Sequence, residues 1–119
     1  MEYIPFPEYD ALTAEDKARI CNGCGPGGWK VNPIPNNLLG VVVTEPCNRH
    51  DMAYHLGQDK DEGDRDLLAN MVTDIIQDFR ASHGAGHVVD SALLKARLTL
   101  AVDYFIAVFV GGDAYFGKG

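Results

Sequence analysis

Apolar residues recur at helical spacing along two long stretches of the chain, and this periodicity constrains the fold more than any other feature. In the stretch 64–80 they are Leu67, Leu68, Met71, Ile75 and Phe79. In the stretch 89–110 they are Leu94, Leu98, Ala101, Phe105 and Val108. Because residues three, four and seven apart lie on one side of an α-helix, each stretch is predicted to form an amphipathic helix.

Local signals predict two further helices earlier in the chain. A short one follows Thr13, whose hydroxyl can accept a hydrogen bond from the first helical turn. A longer one starts at Thr44 and runs to about residue 56, where Gly57 stops it. The polar segment 58–63 then turns the chain, so this helix and the one over 64–80 should be antiparallel neighbours. The fold class is therefore predicted to be mostly α.

Length and composition indicate one globular domain over residues 1–119. The chain has 46% hydrophobic and 23% charged residues, which is sufficient for a real core at this length. Ten Lys and Arg against seventeen Asp and Glu give a formal net charge of −7. No positive field then attracts phosphodiester backbones, so nucleic acid is not an expected partner.

No segment is expected to cross a membrane or to direct secretion. The longest apolar stretch, 98–110, is interrupted by Asp103 and is shorter than the roughly 20 residues that span a bilayer. Residues 1–12 lack the basic start and the apolar run of a signal peptide. The location is left open, with export by a non-classical route as one alternative.

Four side chains able to do chemistry share one side of the predicted helix over 44–56. They are Cys47, His50, Asp51 and Tyr54, at positions i, i+3, i+4 and i+7. A helix has no packing reason to align a thiol, an imidazole, a carboxylate and a phenol. The pattern therefore indicates a functional site.

A second carboxylate is expected to face this group. Asp64 lies on the apolar stripe of the next helix, and a buried carboxylate must be paired. His50 stands seven residues before Gly57 and Asp64 seven after it, so an antiparallel hairpin brings them to similar heights. We predict that His50 is a general base and Asp64 the carboxylate that orients it. Asp66 shares a face with Asn70 that we expect to be solvated.

The segment 22–29 is rich in glycine and supplies closely spaced backbone carbonyls. Calcium binds carbonyl oxygens together with carboxylates. Asp51 would supply the carboxylate if Cys24 and Cys47 were bridged, because the bridge would fix this loop against the start of the helix.

These motifs resemble those of secreted phospholipases A2. The segment 23–28, Gly-Cys-Gly-Pro-Gly-Gly, resembles their calcium-binding loop, and Cys47-x-x-His50-Asp51-x-x-Tyr54 resembles their catalytic helix. The step from Asp64 to Arg65 resembles the start of their second catalytic helix. The resemblance implies two antiparallel catalytic helices, a glycine-rich calcium loop and additional packing helices. Because many disulfides and a β-wing are absent, it is closer to compact prokaryotic and viral members.

The resemblance also implies a reaction and a role for each residue. The reaction is calcium-dependent hydrolysis of the sn-2 ester of a phosphoglyceride at a membrane or micelle interface. His50 would be the base, Asp64 would orient it and Tyr54 would brace Asp64. The calcium ligands would be Asp51 and the carbonyls of Gly23, Gly25 and Gly27, with the Gly25 N–H stabilising the oxyanion.

The same resemblance implies one disulfide bridge, between Cys24 and Cys47, and this leaves Cys21 as a free thiol. Two alternatives stay open. Cys21, Cys24, Cys47 and His50 have the spacing of a Cys₃His structural zinc site in an interaction module. A catalytically silent relative that binds calcium or lipid without hydrolysis would have the same motifs.

Overall fold

The computed structural model describes residues 2–21, 37–82 and 88–111. This part of the chain is mostly helical, as predicted, with one small antiparallel sheet. In chain order the elements are α1 (Pro7–Asp10), α2 (Ala14–Ile20), β1 (Asn37–Leu38), β2 (Val41–Val42), α3 (Thr44–Leu56), α4 (Lys60–Ser82) and α5 (Val88–Gly111).

The two helices predicted from local signals are confirmed. The hydroxyl of Thr13 accepts from the backbone N–H of Asp16 at 3.1 Å and caps α2. Helix α3 begins at Thr44 and ends before Gly57, which adopts the left-handed conformation with φ of 67°. Glycine tolerates this conformation because it has no Cβ, and its N–H satisfies the carbonyl of Tyr54 at 3.1 Å.

Helix α4 starts four residues earlier than predicted, so the expectation of a turn over 58–63 is wrong from Lys60 onward. The carboxylate of Asp59 accepts from the backbone N–H of Glu62 at 3.1 Å and caps the first turn. Asp61 and Glu62 also place negative charge where the helix dipole favours it. The connection between α3 and α4 is therefore a very short turn, 57–59.

Helix α4 packs against both α3 and α5, and the core lies along these contacts. The stripe predicted on α4 is buried, with Leu67, Met71 and Ile75 almost inaccessible to solvent. From α5, Ala101 and Tyr104 complete the core. The other members come from the sheet, from the residue that precedes α3 and from the first turn of α3: Leu38, Val41, Val43 and Cys47.

A tight β-hairpin precedes α3 and is tied to α5 by one arginine. Leu39 and Gly40 have positive φ of 52° and 97°, which suits a two-residue hairpin turn. Arg97 donates to the carbonyl of Leu39 from Nη2 at 2.7 Å and to Asp78 from Nη1 at 3.1 Å. In the hairpin Val42 pairs with Asn37 and Val41 with Leu38.

The N-terminal segment 2–12 packs across α3 and α4. Tyr9 is fully buried, and the backbone N–H of Ile4 donates to the Asn70 side chain at 2.8 Å. Tyr3 donates its hydroxyl to Asp74 at 2.5 Å. The face of α4 expected to be solvated at Asn70 is therefore covered, and Asn70 is only 3% exposed. None of the helices in the described ranges is long and apolar enough to cross a membrane.

Candidate functional site

His50 of α3 and Asp64 of α4 form a buried hydrogen-bonded pair. The Nε2 atom of His50 lies 2.6 Å from Oδ1 of Asp64. The Asp64 side chain is 0% exposed and that of His50 is 8% exposed. The short turn after Gly57 and the inward stripe of α4 bring the two together. The predicted contact between the two residues is confirmed as geometry.

Tyr54, which lies one turn after His50 on α3, also contacts the Asp64 carboxylate. Its hydroxyl donates to the same Oδ1 atom of Asp64 at 2.9 Å. Its ring lies against the imidazole of His50, with centroids 4.3 Å apart. The predicted contact of Tyr54 with Asp64 is therefore present. The ring contact also restricts the orientation of the imidazole.

Lys60 is a member of the site that sequence reasoning missed. Its ammonium donates to the second carboxylate oxygen of Asp64, Oδ2, at 2.7 Å. The same ammonium reaches the carbonyls of Val108 at 3.3 Å and Phe109 at 3.1 Å, in the last turns of α5. The spacing of four residues from Asp64 could have revealed it, had the start of α4 been placed before Lys60.

The environment keeps Asp64 ionised. Burial alone would raise the pKa of Asp64, but hydrogen bonds from His50, Lys60 and Tyr54 outweigh burial and lower that pKa below its usual value. An ionised carboxylate only accepts hydrogen bonds, so the proton between the two residues belongs to Nε2 of His50. The Nδ1 atom then carries the lone pair that can accept a proton.

A cavity of about 220 Å³ lies beside His50, between the N-terminal segment, α3 and the start of α4. Its apolar lining comes from both the segment and the helices: Ile4, Pro5, Phe6, Pro7, Pro46, Ala53 and Leu67. Its acidic lining consists of Glu8, Asp59, Glu62 and Asp66. Burial, and then the charge of Glu62, raises the pKa of Asp66. The cavity is thus apolar along its walls and negatively charged in part.

Arg49 fixes the N-terminal wall of this cavity. Its guanidinium donates to Asp10 at 2.7 Å and to the carbonyl of Ile4 at 3.3 Å. It also lies over the rings of Tyr3 and Tyr9, 5.1 Å and 5.0 Å from their centroids. A guanidinium stacks well on aromatic faces, so one side chain anchors both ends of the wall.

Asp51, the predicted calcium carboxylate, lies half-buried on α3 next to His50. The thiol of Cys21, the last described residue before the gap at 22–36, donates to the carbonyl of Asn48 of α3 at 3.2 Å. Burial, and then the charge of Asp51, raises the pKa of Cys21 to about 11. Cys21 thus lies close enough to Asp51 for the two side chains to interact electrostatically.

The other predicted ligands, Gly23, Gly25 and Gly27, lie outside the described residues, and so does the predicted oxyanion donor, the Gly25 N–H. Within the described ranges no group of three or more His, Cys, Asp and Glu side chains could hold a metal ion. The predicted calcium site needs only one such side chain, because carbonyl oxygens supply its other ligands.

The cysteines divide into one free thiol and one bonded sulfur within the described part. Cys21 is free, as predicted. Cys47 takes part in a disulfide, and its sulfur lies 3.4 Å from the Tyr104 hydroxyl. Its predicted partner, Cys24, falls outside the described residues, so this pairing stays a prediction.

Comparisons with known proteins identify no relative. No family model, no curated protein and no solved structure matches this chain. The function is therefore inferred from the geometry around His50 and from the residue pattern that leads to it.

Proposed function

We propose that this protein is a calcium-dependent phospholipase A2, which releases the sn-2 fatty acid of a phosphoglyceride and leaves a lysophospholipid. The observation that carries the proposal is the buried pair of His50 and Asp64, 2.6 Å apart, beside a cavity with apolar walls. A histidine oriented by an ionised carboxylate is suited to act as a general base.

The proposed nucleophile is a water molecule activated by His50. No Ser, Thr or Cys side chain bonds to the imidazole in the described part of the chain, so no covalent acyl-enzyme is expected. Nδ1 takes a proton from the water as the oxygen attacks the ester carbonyl. Asp64 stabilises the imidazolium, which then returns the proton to the departing glycerol oxygen.

The residues proposed to hold calcium are Asp51 and the carbonyls of Gly23, Gly25 and Gly27. The contact of Cys21 with Asn48 supports this assignment, because Cys21 precedes the glycine-rich segment in the chain and lies close to Asp51. Bound calcium would supply a Lewis acid that polarises the ester carbonyl. The Gly25 N–H is proposed to donate to the oxyanion.

The cavity lining supports an amphiphilic substrate. Ile4, Phe6 and Leu67 offer apolar surface to an acyl chain. The carboxylates of Glu62 and Asp66 disfavour a second negative charge on the lipid head group. We therefore propose zwitterionic phosphoglycerides, presented in a membrane or micelle, as the preferred substrates.

Calcium dependence is the first test of this proposal. Mixed micelles of phosphatidylcholine are incubated with the protein in calcium or in an excess of chelator, and fatty acid release is followed. We expect release with calcium and almost none with chelator. Equal rates in the two conditions would end the proposal, and calcium or lipid binding without release would favour a catalytically silent protein.

The zinc alternative has less support than the phospholipase proposal. A sulfur bound in a disulfide cannot act as a thiolate ligand, which removes Cys47 from the set. Metal analysis of protein purified without chelator tests this alternative, which requires one zinc ion per chain.

A further inference from the structure

Lys60 holds the one oxygen of Asp64 that His50 and Tyr54 do not use. The side chain of Lys60 is 11% exposed, and its ammonium lies 2.7 Å from Oδ2. His50 and Tyr54 both bond to Oδ1. Both oxygens of this fully buried carboxylate are therefore hydrogen-bonded, each by different side chains.

Local helix energetics do not account for this lysine. Lys60 is the first residue of α4, where a positive charge opposes the helix dipole. A lysine four residues before an aspartate is also the weaker order for such a pair on an isolated helix. The benefit must come from tertiary contacts, namely Asp64 and the carbonyls of Val108 and Phe109.

The contacts with α5 have their own physical reason. The last carbonyls of a helix lack intrahelical partners and carry its negative partial charge. An ammonium placed there satisfies them and is itself stabilised. Lys60 thus joins the end of α5 to the carboxylate that faces His50, although Val108 lies 48 residues away in the chain.

Loss of the ammonium has a direct consequence for His50. Oδ2 of Asp64 would be left buried without its charged partner, and the carboxylate could turn toward other donors. The imidazole would then lose the fixed acceptor that sets its tautomer and its orientation.

We propose that Lys60 is a positioning residue, which fixes the Asp64 carboxylate so that Oδ1 meets His50 and which couples the end of α5 to that arrangement. Its effect on catalysis rests on the proposed phospholipase function. Its effect on the contact between His50 and Asp64 does not, because that contact is made by side chains of this chain alone.

The test compares Lys60→Met and Lys60→Arg with wild type, with Lys95→Met as a control at an exposed lysine of α5. The first readout is the low-field proton resonance of the His50 ring N–H, assigned by its loss in His50→Gln. We expect the resonance to disappear or broaden in Lys60→Met, and to persist in Lys60→Arg and in the control. The measurement needs neither calcium nor lipid.

The second readout is hydrolysis by the same variants. Lys60→Met should lower kcat about 10- to 100-fold, as loss of an outer-shell partner does at other sites, with KM changed less than about twofold. Lys60→Arg should recover most of kcat because it restores a positive donor. If Lys60→Met does not fold, Lys60→Gln takes its place with the same readouts and the same expected direction.

The proposal would be overturned if folded Lys60→Met or Lys60→Gln kept both the His50 resonance and kcat. It would also be overturned if Lys60→Arg lost the resonance and kcat as much as Lys60→Met does. Absence of hydrolysis in wild type would instead count against the phospholipase function. The resonance would still decide the role of Lys60.

Discussion

At the scale of single residues, Asp64 is the group on which the site depends, because it is charged and fully buried. Its inward place could be predicted from the sequence, since it precedes the apolar stripe of α4 by one turn. Tyr54 could be predicted to brace it only through the phospholipase resemblance. The role of Lys60 could not be predicted, because its local sequence is typical of a polar turn and two of its acceptors lie on α5.

The depressed pKa of Asp64 predicts how its contribution to stability depends on pH. In the unfolded chain the pKa of an Asp side chain is about 4, which is above the pKa of Asp64 in the folded protein. The stabilising contribution is therefore complete above that pH and is lost as the pH falls through the lower, folded-state pKa. We predict that Asp64→Asn is less stable than wild type near neutral pH, and that the gap narrows in acid.

Urea unfolding of both proteins between about pH 3 and pH 7 measures this difference in free energy. Asp103→Asn, at an exposed position on α5, is the matched control and should show little such dependence. A gap between wild type and Asp64→Asn that is the same at every pH would contradict the assignment of an ionised, stabilising carboxylate.

At the scale of elements, the helix ends that have strong local signals lie where the sequence predicts them. Helix boundaries and buried faces that depend on packing do not. Gly57 ends α3 where expected, because a left-handed residue is a local requirement. The start of α4 was misplaced because the charged residues after Asp59 resemble a solvated turn. The covering of Asn70 was missed, since its partner Ile4 lies 66 residues away and has no sequence pattern that pairs it with α4.

The N-terminal wall of the cavity should depend on Arg49. Replacing it by methionine removes the pair with Asp10 and the bond to the Ile4 carbonyl while leaving the pair of His50 and Asp64 intact. We predict that Arg49→Met raises KM several-fold with a small change in kcat, because substrate binding loses a fixed wall. The amide of Ile4 should also exchange its hydrogen faster.

Steady-state kinetics and hydrogen exchange of the Ile4 amide check this prediction. Arg65→Met, at an exposed arginine of α4, provides the control and should match wild type in both. An unchanged KM together with unchanged exchange at Ile4 would show that Arg49 does not secure the wall.

At the scale of the whole molecule, three separate parts of the chain converge on the pair of His50 and Asp64. The N-terminal segment forms a cavity wall, α5 reaches the pair through Lys60, and Cys21 contacts α3 at Asn48. The mostly helical class followed from periodicity, whereas this convergence arises from contacts distant in sequence. The residue pattern around His50 and Asp64 indicated where the candidate site is, but not what encloses it.

The state of the cysteines is a prediction at this scale. Oxidised protein should contain one thiol, Cys21, and one bridge, between Cys24 and Cys47. The Cys21 thiol should react slowly in the folded protein, since burial raises its pKa to about 11. Thiol counting before and after denaturation, with peptide mapping under non-reducing conditions, gives the answer. A mapped bridge between Cys21 and Cys47 would refute the predicted pairing.

The most direct test of the central claim is the regiochemistry of lipid hydrolysis by wild type and His50→Gln. Phosphatidylcholine with different acyl chains at sn-1 and sn-2 is presented in mixed micelles with calcium, and the released fatty acid is identified by mass. We predict release of the sn-2 chain alone, and a rate about 10²- to 10⁴-fold lower without the general base. His55→Gln, at an exposed histidine of the same helix, should retain the activity. Release of the sn-1 chain, or an undiminished rate in His50→Gln, would contradict the account.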